Sequence, residues 1–179
     1  GNHDRHGEIN LSKWSNAFDV DEKGYGCRFI KFGNSQDVTL ILLNSVIRNS
    51  DERLDQLKNA VIQTIGSIDN SQMQWLRELK SALENKFGQA YKRSLKIVAL
   101  HHHPIPTKAK TTPLEEAILL LENAGEVLEV VCDLKADLVL HGHQHDPMIQ
   151  TLQRHPSHKP LTILGAGVPI RCSVDKEED

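Results

Sequence analysis

Cysteine is scarce in this chain. The three that occur, Cys27, Cys132 and Cys172, include no pair at C-x-x-C spacing. That argues against a disulfide framework or a zinc ribbon and fits a reducing compartment, so the expected location is cytoplasmic. Long apolar runs are also missing. None approaches the ~20 residues of a membrane span, and no membrane partner is expected. No stretch reads as a signal peptide. Basic charge is not in excess either: the net charge is −3, and no broad basic patch advertises nucleic acid. Internal repeats and low-complexity segments are absent as well.

What the sequence does hold is histidine. Of ten, six fall in two clusters, at 101–103 and 141–145. The second cluster ends an apolar run, Leu138-Val139-Leu140-His141-Gly142-His143-Gln144-His145. Buried strands of α/β proteins read this way, and functional groups collect at their C-terminal ends. Gly142 is expected to let the backbone turn sharply as the strand ends. His143 and His145 then turn towards one point, a metal-ligand pattern, because neutral imidazole suits Zn, Fe and Mn. The first cluster, His101-His102-His103-Pro104, closes the apolar run 95–100 in the same manner, and its prolines stiffen the loop.

The 179 residues suffice for one domain with a real core, residues 1–179. Residues 5–23 are polar and irregular, with Trp14 and Phe18 as isolated anchors. Strands are expected over 25–32 and 38–43, joined by a hairpin turn at 33–36. A helix is expected over 51–65, stopped by Gly66, and a second over 72–87 with Ser71 and Gln74 as a capping box. Trp75 on that helix reads as a packing anchor. Residues 95–100 form a buried strand. Pro113 and Glu115 mark a helix start, and Asn123 looks like a second N-cap, so 113–132 reads as one helix or two. Strands follow at 138–140, 148–152 and 161–164, and the acidic tail 175–179 is expected to fray. Strands first and helix–strand alternation later make a layered α/β domain with ligands on the loops after strands.

Three polar loops therefore stand out: Gly1-Asn2-His3-Asp4, His101 to Pro104, and Gly142 to His145. Their order and local sequence resemble the calcineurin-like metallophosphoesterases, which carry D-x-H, G-D-x-x-D, G-N-H-[DE], a strand-terminal His and G-H-x-H in that order. The chain matches the last three, and its look is nearest to bacterial-type cyclic-nucleotide phosphodiesterases. The resemblance implies an α/β/β/α sandwich and metal-dependent hydrolysis of a small-molecule or nucleotide phosphoester. It also implies two metal ions, drawn from Mn, Fe and Zn, at the strand ends. Ions roughly 3.5–4 Å apart polarise phosphoryl oxygens and stabilise an in-line displacement. By position, Asn2, His101 and His143 would bind one ion and His145 the other. His3 would not be a ligand. It would steady the transition state and protonate the leaving oxygen, with Asp4 orienting its ring.

D-x-H and G-D-x-x-D are absent. Asp4-Arg5-His6 has the D-x-H spelling but follows no apolar strand, so it is read as coincidence. The expectation is that the N-terminal strands and these two motifs lie upstream of Gly1, and that the chain alone does not turn over. An inactive fragment or an interaction scaffold of the same fold is the alternative. His102 and His103 read as solvated, or as packed behind the ligands, with contact of one of them to substrate as the alternative. His141 reads as a buried, hydrogen-bonded residue, and His6, His155 and His158 as surface residues. Lys108 and Lys110 read as parts of a solvated loop. Residues 48–68 have no counterpart in the resemblance, and oligomeric state stays open.

Overall fold

The computed structural model describes residues 24–33, 35–46, 66–106, 120–143, 147–153 and 159–166. They form β1 (Gly26–Ile30), β2 (Val38–Leu42), α1 (Asn70–Phe87), α2 (Gln89–Arg93), β3 (Leu95–Ala99), α3 (Ala124–Asp133), β4 (Leu138–His141), β5 (Met148–Leu152) and β6 (Leu161–Gly165). The strands make one six-stranded sheet in the order β1-β2-β3-β4-β6-β5. Its four central strands are parallel, and both edge strands run antiparallel to their neighbours. This mixed sheet with helices is the α/β class expected. The second sheet of a sandwich is not among the described residues.

The core follows from the two-residue period of a strand. Ile41, Val98, Val139 and Ile163 sit side by side across β2, β3, β4 and β6, and each is buried. Helix α1 covers this row with Met73, Leu76, Leu79 and Leu83, and α3 with Val127, Val130 and Val131. Burying each such aliphatic side chain stabilises the fold by about 1.5–3 kcal/mol. The row facing the other way, Leu40, Ile97 and Leu138, is only partly buried. Trp75 packs its ring 5.0 Å from that of Tyr25, as an anchor should.

One cap differs from expectation, and a second holds in position but not in its bonding. Asp69, not Ser71, caps α1: its Oδ1 accepts from the Gln72 N–H at 2.9 Å. The Gln72 side chain is needed elsewhere, because its amide accepts from the Asn44 N–H and donates to the Asn44 carbonyl. Asn123 stands at the N-cap of α3, where a second helix start was expected, but its side chain makes no capping bond. Its amide pairs instead with both backbone groups of Ile68, at 3.0 and 2.8 Å. Two side-chain amides thus tie connecting segments to the core as a strand would. The end of the 48–68 stretch is held in this way, and Gly66 forms bridges to Val46 and Leu121. The helix expected over 51–65, the Pro113 helix start and the tail lie outside the described residues.

Candidate metal centre

Because β2, β3, β4 and β6 are parallel, their C-terminal ends share one edge of the sheet. Residues that follow these strands are brought together there, the usual position for ligands in an α/β sheet. The ladder runs past the strand ends through Leu43 N–H to the Ala99 carbonyl, Leu100 N–H to Leu140, and Gly142 N–H to His101. Three segments thereby converge: Asn44 to Val46 after β2, His101 to Pro104 after β3, and Gly142-His143 after β4.

His101 and His143, 42 residues apart, meet at this edge. His143 Nδ1 stands 2.9 Å from His101 Nε2, and the ring centroids are 4.6 Å apart in an edge-on arrangement. The backbone turns in the left-handed region at His143 (φ 75°) and not at Gly142, which corrects the sequence-based expectation. A left-handed conformation costs a non-glycine residue roughly 1–2 kcal/mol. Such strain persists where surrounding structure enforces it, commonly at functional sites. A Cβ on Gly142 would meet His101 Nδ1 at an unstrained 3.8 Å.

The other histidines of the two clusters are buried. His102 is fully enclosed and its Nδ1 lies 2.9 Å from Ser45 Oγ, so a solvated position for it is excluded. His103 is 3% exposed and equally not solvated. Its ring lies 4.6 Å from that of His141, which is buried as expected, with Nδ1 3.3 Å from the Gly142 carbonyl oxygen. Neither nitrogen of His103 has a hydrogen-bond partner among the described residues. Burial, with the neighbouring rings of His141, His143 and His102, pushes His103 down to about 3. Burial also lowers His141, against the bond to Gly142. These rings stay neutral at ordinary pH, which keeps positive charge out of a place suited to a cation.

The donor set of the described residues fits a metal ion. Two imidazole nitrogens bound at about 2.0–2.1 Å to one ion, and about 90° apart, stand about 2.9 Å from each other. The His101–His143 separation of 2.9 Å is that of a hydrogen bond between the rings, which a bound ion would replace. The described residues contain no group of three or more side chains able to hold a metal. Asn2, His3, Asp4 and His145 lie outside them, as do Lys108 and Lys110. A cavity of about 530 Å³ between β1 and α1, walled by Phe29, Trp75, Lys86 and Phe87, contains no residue of the histidine cluster. No helix among the described residues is long and apolar enough to cross a membrane.

A family model for calcineurin-like phosphoesterases matches residues 1–147. The chain belongs to this family. Calcineurin-like phosphoesterases hydrolyse phosphoesters as a class and generally use a dinuclear metal centre, and the histidine-lined strand ends described above lie within the matched span. No curated protein matches the chain. Among solved structures, GAP50, the anchor in the inner membrane complex of Plasmodium, is similar with a TM-score of 0.51 and 16% identity. The match covers 93% of this chain and 47% of that one, so the chain spans about half the length of that structure. At this identity the likeness speaks for the fold alone.

The strand-end positions of His101 and His143 were legible in the sequence. Ser45 and Gly66 pack around His102; Ser45 was not singled out, and Gly66 was read only as a helix stop. The available signal for Ser45 was its place just after a strand, the same position that marks His101 and His143.

Proposed function

We propose that the protein is a metal-dependent phosphoesterase whose centre is built on the C-terminal ends of β2, β3 and β4. The observation that carries this reading is the 2.9 Å approach of His143 Nδ1 to His101 Nε2 in a chain of this family. Asn2, His101 and His143 hold one ion, and His145 holds the other. Bound metal supplies Lewis-acid polarisation of the phosphoryl oxygens and acidifies water. His3 stabilises charge on the phosphoryl group and protonates the leaving oxygen. The Asp4 carboxylate accepts from the second ring N–H of His3, fixing the tautomer and raising the basicity of the ring. The substrate is a small-molecule or nucleotide phosphoester, and cyclic nucleotides are the first class to assay.

The test is metal content by elemental analysis after loading with Mn, Fe or Zn, paired with bis(p-nitrophenyl) phosphate hydrolysis. His101→Ala and His143→Ala are expected to lower metal content and any hydrolysis together. In a longer parent that supplies D-x-H and G-D-x-x-D, His3→Ala is expected to keep the metal and lower turnover by about 10²–10⁴-fold, the usual worth of general acid catalysis. Equal metal content in His143→Ala and the wild type would reject the site. Metal lost in His143→Ala, with no hydrolysis even by a longer parent that carries D-x-H and G-D-x-x-D, would identify a metal-binding scaffold of the same fold.

A further inference from the structure

We propose that Ser45 is a positioning residue for the His101–His143 pair, acting through the loop after β3 and through a single tautomer of His102. The inference rests on the metal-binding role proposed above for that pair.

Ser45 is buried, 1% exposed, just beyond the C-terminal end of β2. Its hydroxyl oxygen lies 3.2 Å from the His101 N–H and 3.1 Å from the His102 N–H. A serine hydroxyl has two acceptor lone pairs and one proton. Both lone pairs are taken by these backbone donors. The third contact, to His102 Nδ1 at 2.9 Å, must therefore be made by the hydroxyl proton. Nδ1 is then an acceptor, and the ring proton of His102 sits on Nε2. This arithmetic removes Nδ1 of His102 from the set of possible metal ligands. It also fixes the ring plane.

His102 in turn touches both members of the pair. Its centroid is 5.0 Å from that of His101, edge-on, and 4.7 Å from that of His143. The ring also presses on Gly66, where an added Cβ would fall 2.1 Å from Cγ. One hydroxyl thus sets the backbone of His101 directly and the ring of His143 through the His102 ring, which packs on Gly66.

Long-range ¹H–¹⁵N NMR of histidine rings in the metal-free 179-residue chain tests this. The wild type is expected to show His102 protonated on Nε2. Ser45→Ala is expected to shift the ring resonances of His101 and His143 and to weaken zinc binding about 10–100-fold, the usual effect of losing a group that orients a ligand. Ser45→Thr, which keeps the hydroxyl, is expected to restore both. A proton on Nδ1 of His102 in the wild type would overturn the proposal without any variant, should Ser45→Ala fail to fold. So would unchanged His101 and His143 resonances in Ser45→Ala. Zinc binding that is equal in the wild type and His143→Ala would sink the metal role alone, and the ring resonances would still decide the part played by Ser45.

Discussion

Gly66 and His102 exclude any side chain between them: a methyl group on Gly66 would sit 2.1 Å from His102 Cγ and 2.4 Å from Nδ1. Neither neighbour can give way easily. The Gly66 carbonyl accepts from the Glu122 N–H at 2.7 Å, and the His102 ring is anchored on Ser45. Gly66→Ala is therefore expected to destabilise the chain by about 1–3 kcal/mol, the cost of overpacking a closed site. Urea unfolding followed by circular dichroism measures it. A midpoint equal to wild type would mean that the loop at 66 moves freely away from the histidine cluster.

The first turn of α1 separates two spellings of the same signal. Asp69→Ala removes the carboxylate that accepts from the Gln72 N–H and is expected to cost about 0.5–2 kcal/mol. Ser71→Ala removes only a hydroxyl that donates to that carboxylate at an exposed position, and is expected to cost less than about 0.5 kcal/mol. Unfolding midpoints for the two variants would reverse in order if Ser71 were the cap.

That pair shows where the sequence was legible and where it was not. Strands were readable because buried parallel strands are apolar along their length, and the expected bounds fall within two residues of those observed. Ser71-x-x-Gln74 and Asp69-x-x-Gln72 have equal local merit as capping boxes. What separates them is the backbone of Asn44, 28 residues away, which engages the Gln72 amide. The five-residue α2 depends on the left-handed Gly88 (φ 52°) and is too short for any periodicity to announce it. For His102 and His103 the local sequence left open whether they are solvated or packed behind the ligands. His102 is buried because Ser45 and Gly66 close over it, and His103 because it packs on the His141 ring and bridges to Leu120, long-range arrangements with no local signature. His101 and His143 were legible for the opposite reason: strand-end position and spacing are local. The order β4-β6-β5 required the register itself.

Cys27 is expected to resist alkylation. It is half-buried on the α1 face of β1, and burial pushes its thiol up to about 12, with Lys86 only partly opposing. At pH 8 the thiolate fraction is then about 10⁻⁴, against roughly 0.2 for a free cysteine, and the thiolate is the reacting species. Iodoacetamide labelling with peptide mass spectrometry should leave Cys27 unmodified in the native chain and modify it in urea. Rapid native labelling would show that the β1–α1 edge opens.

Acid should destabilise the metal-free chain earlier than its carboxylates require. His103 is pushed down to about 3 in the folded state, chiefly by burial, and the rings of His141, His143 and His102 face it. In the unfolded chain a histidine takes its proton near pH 6.5. Between those values the unfolded state binds a proton that the folded state refuses, so stability rises with pH across the window and is lost as pH falls. The slope is about 1.4 kcal/mol per pH unit for His103. His141, lowered in the same direction, adds to it below pH 6.5. Above that value both rings are neutral in either state and contribute no pH dependence. Unfolding free energies measured by urea titration should be level from pH 8 to 7 and fall between pH 6.5 and 5, before most carboxylates titrate. His103→Leu removes one of the two rings and should reduce that slope by about 1.4 kcal/mol per pH unit. An unchanged slope in His103→Leu would mean that His103 accepts its proton within the folded chain, and that the histidine cluster is open to water.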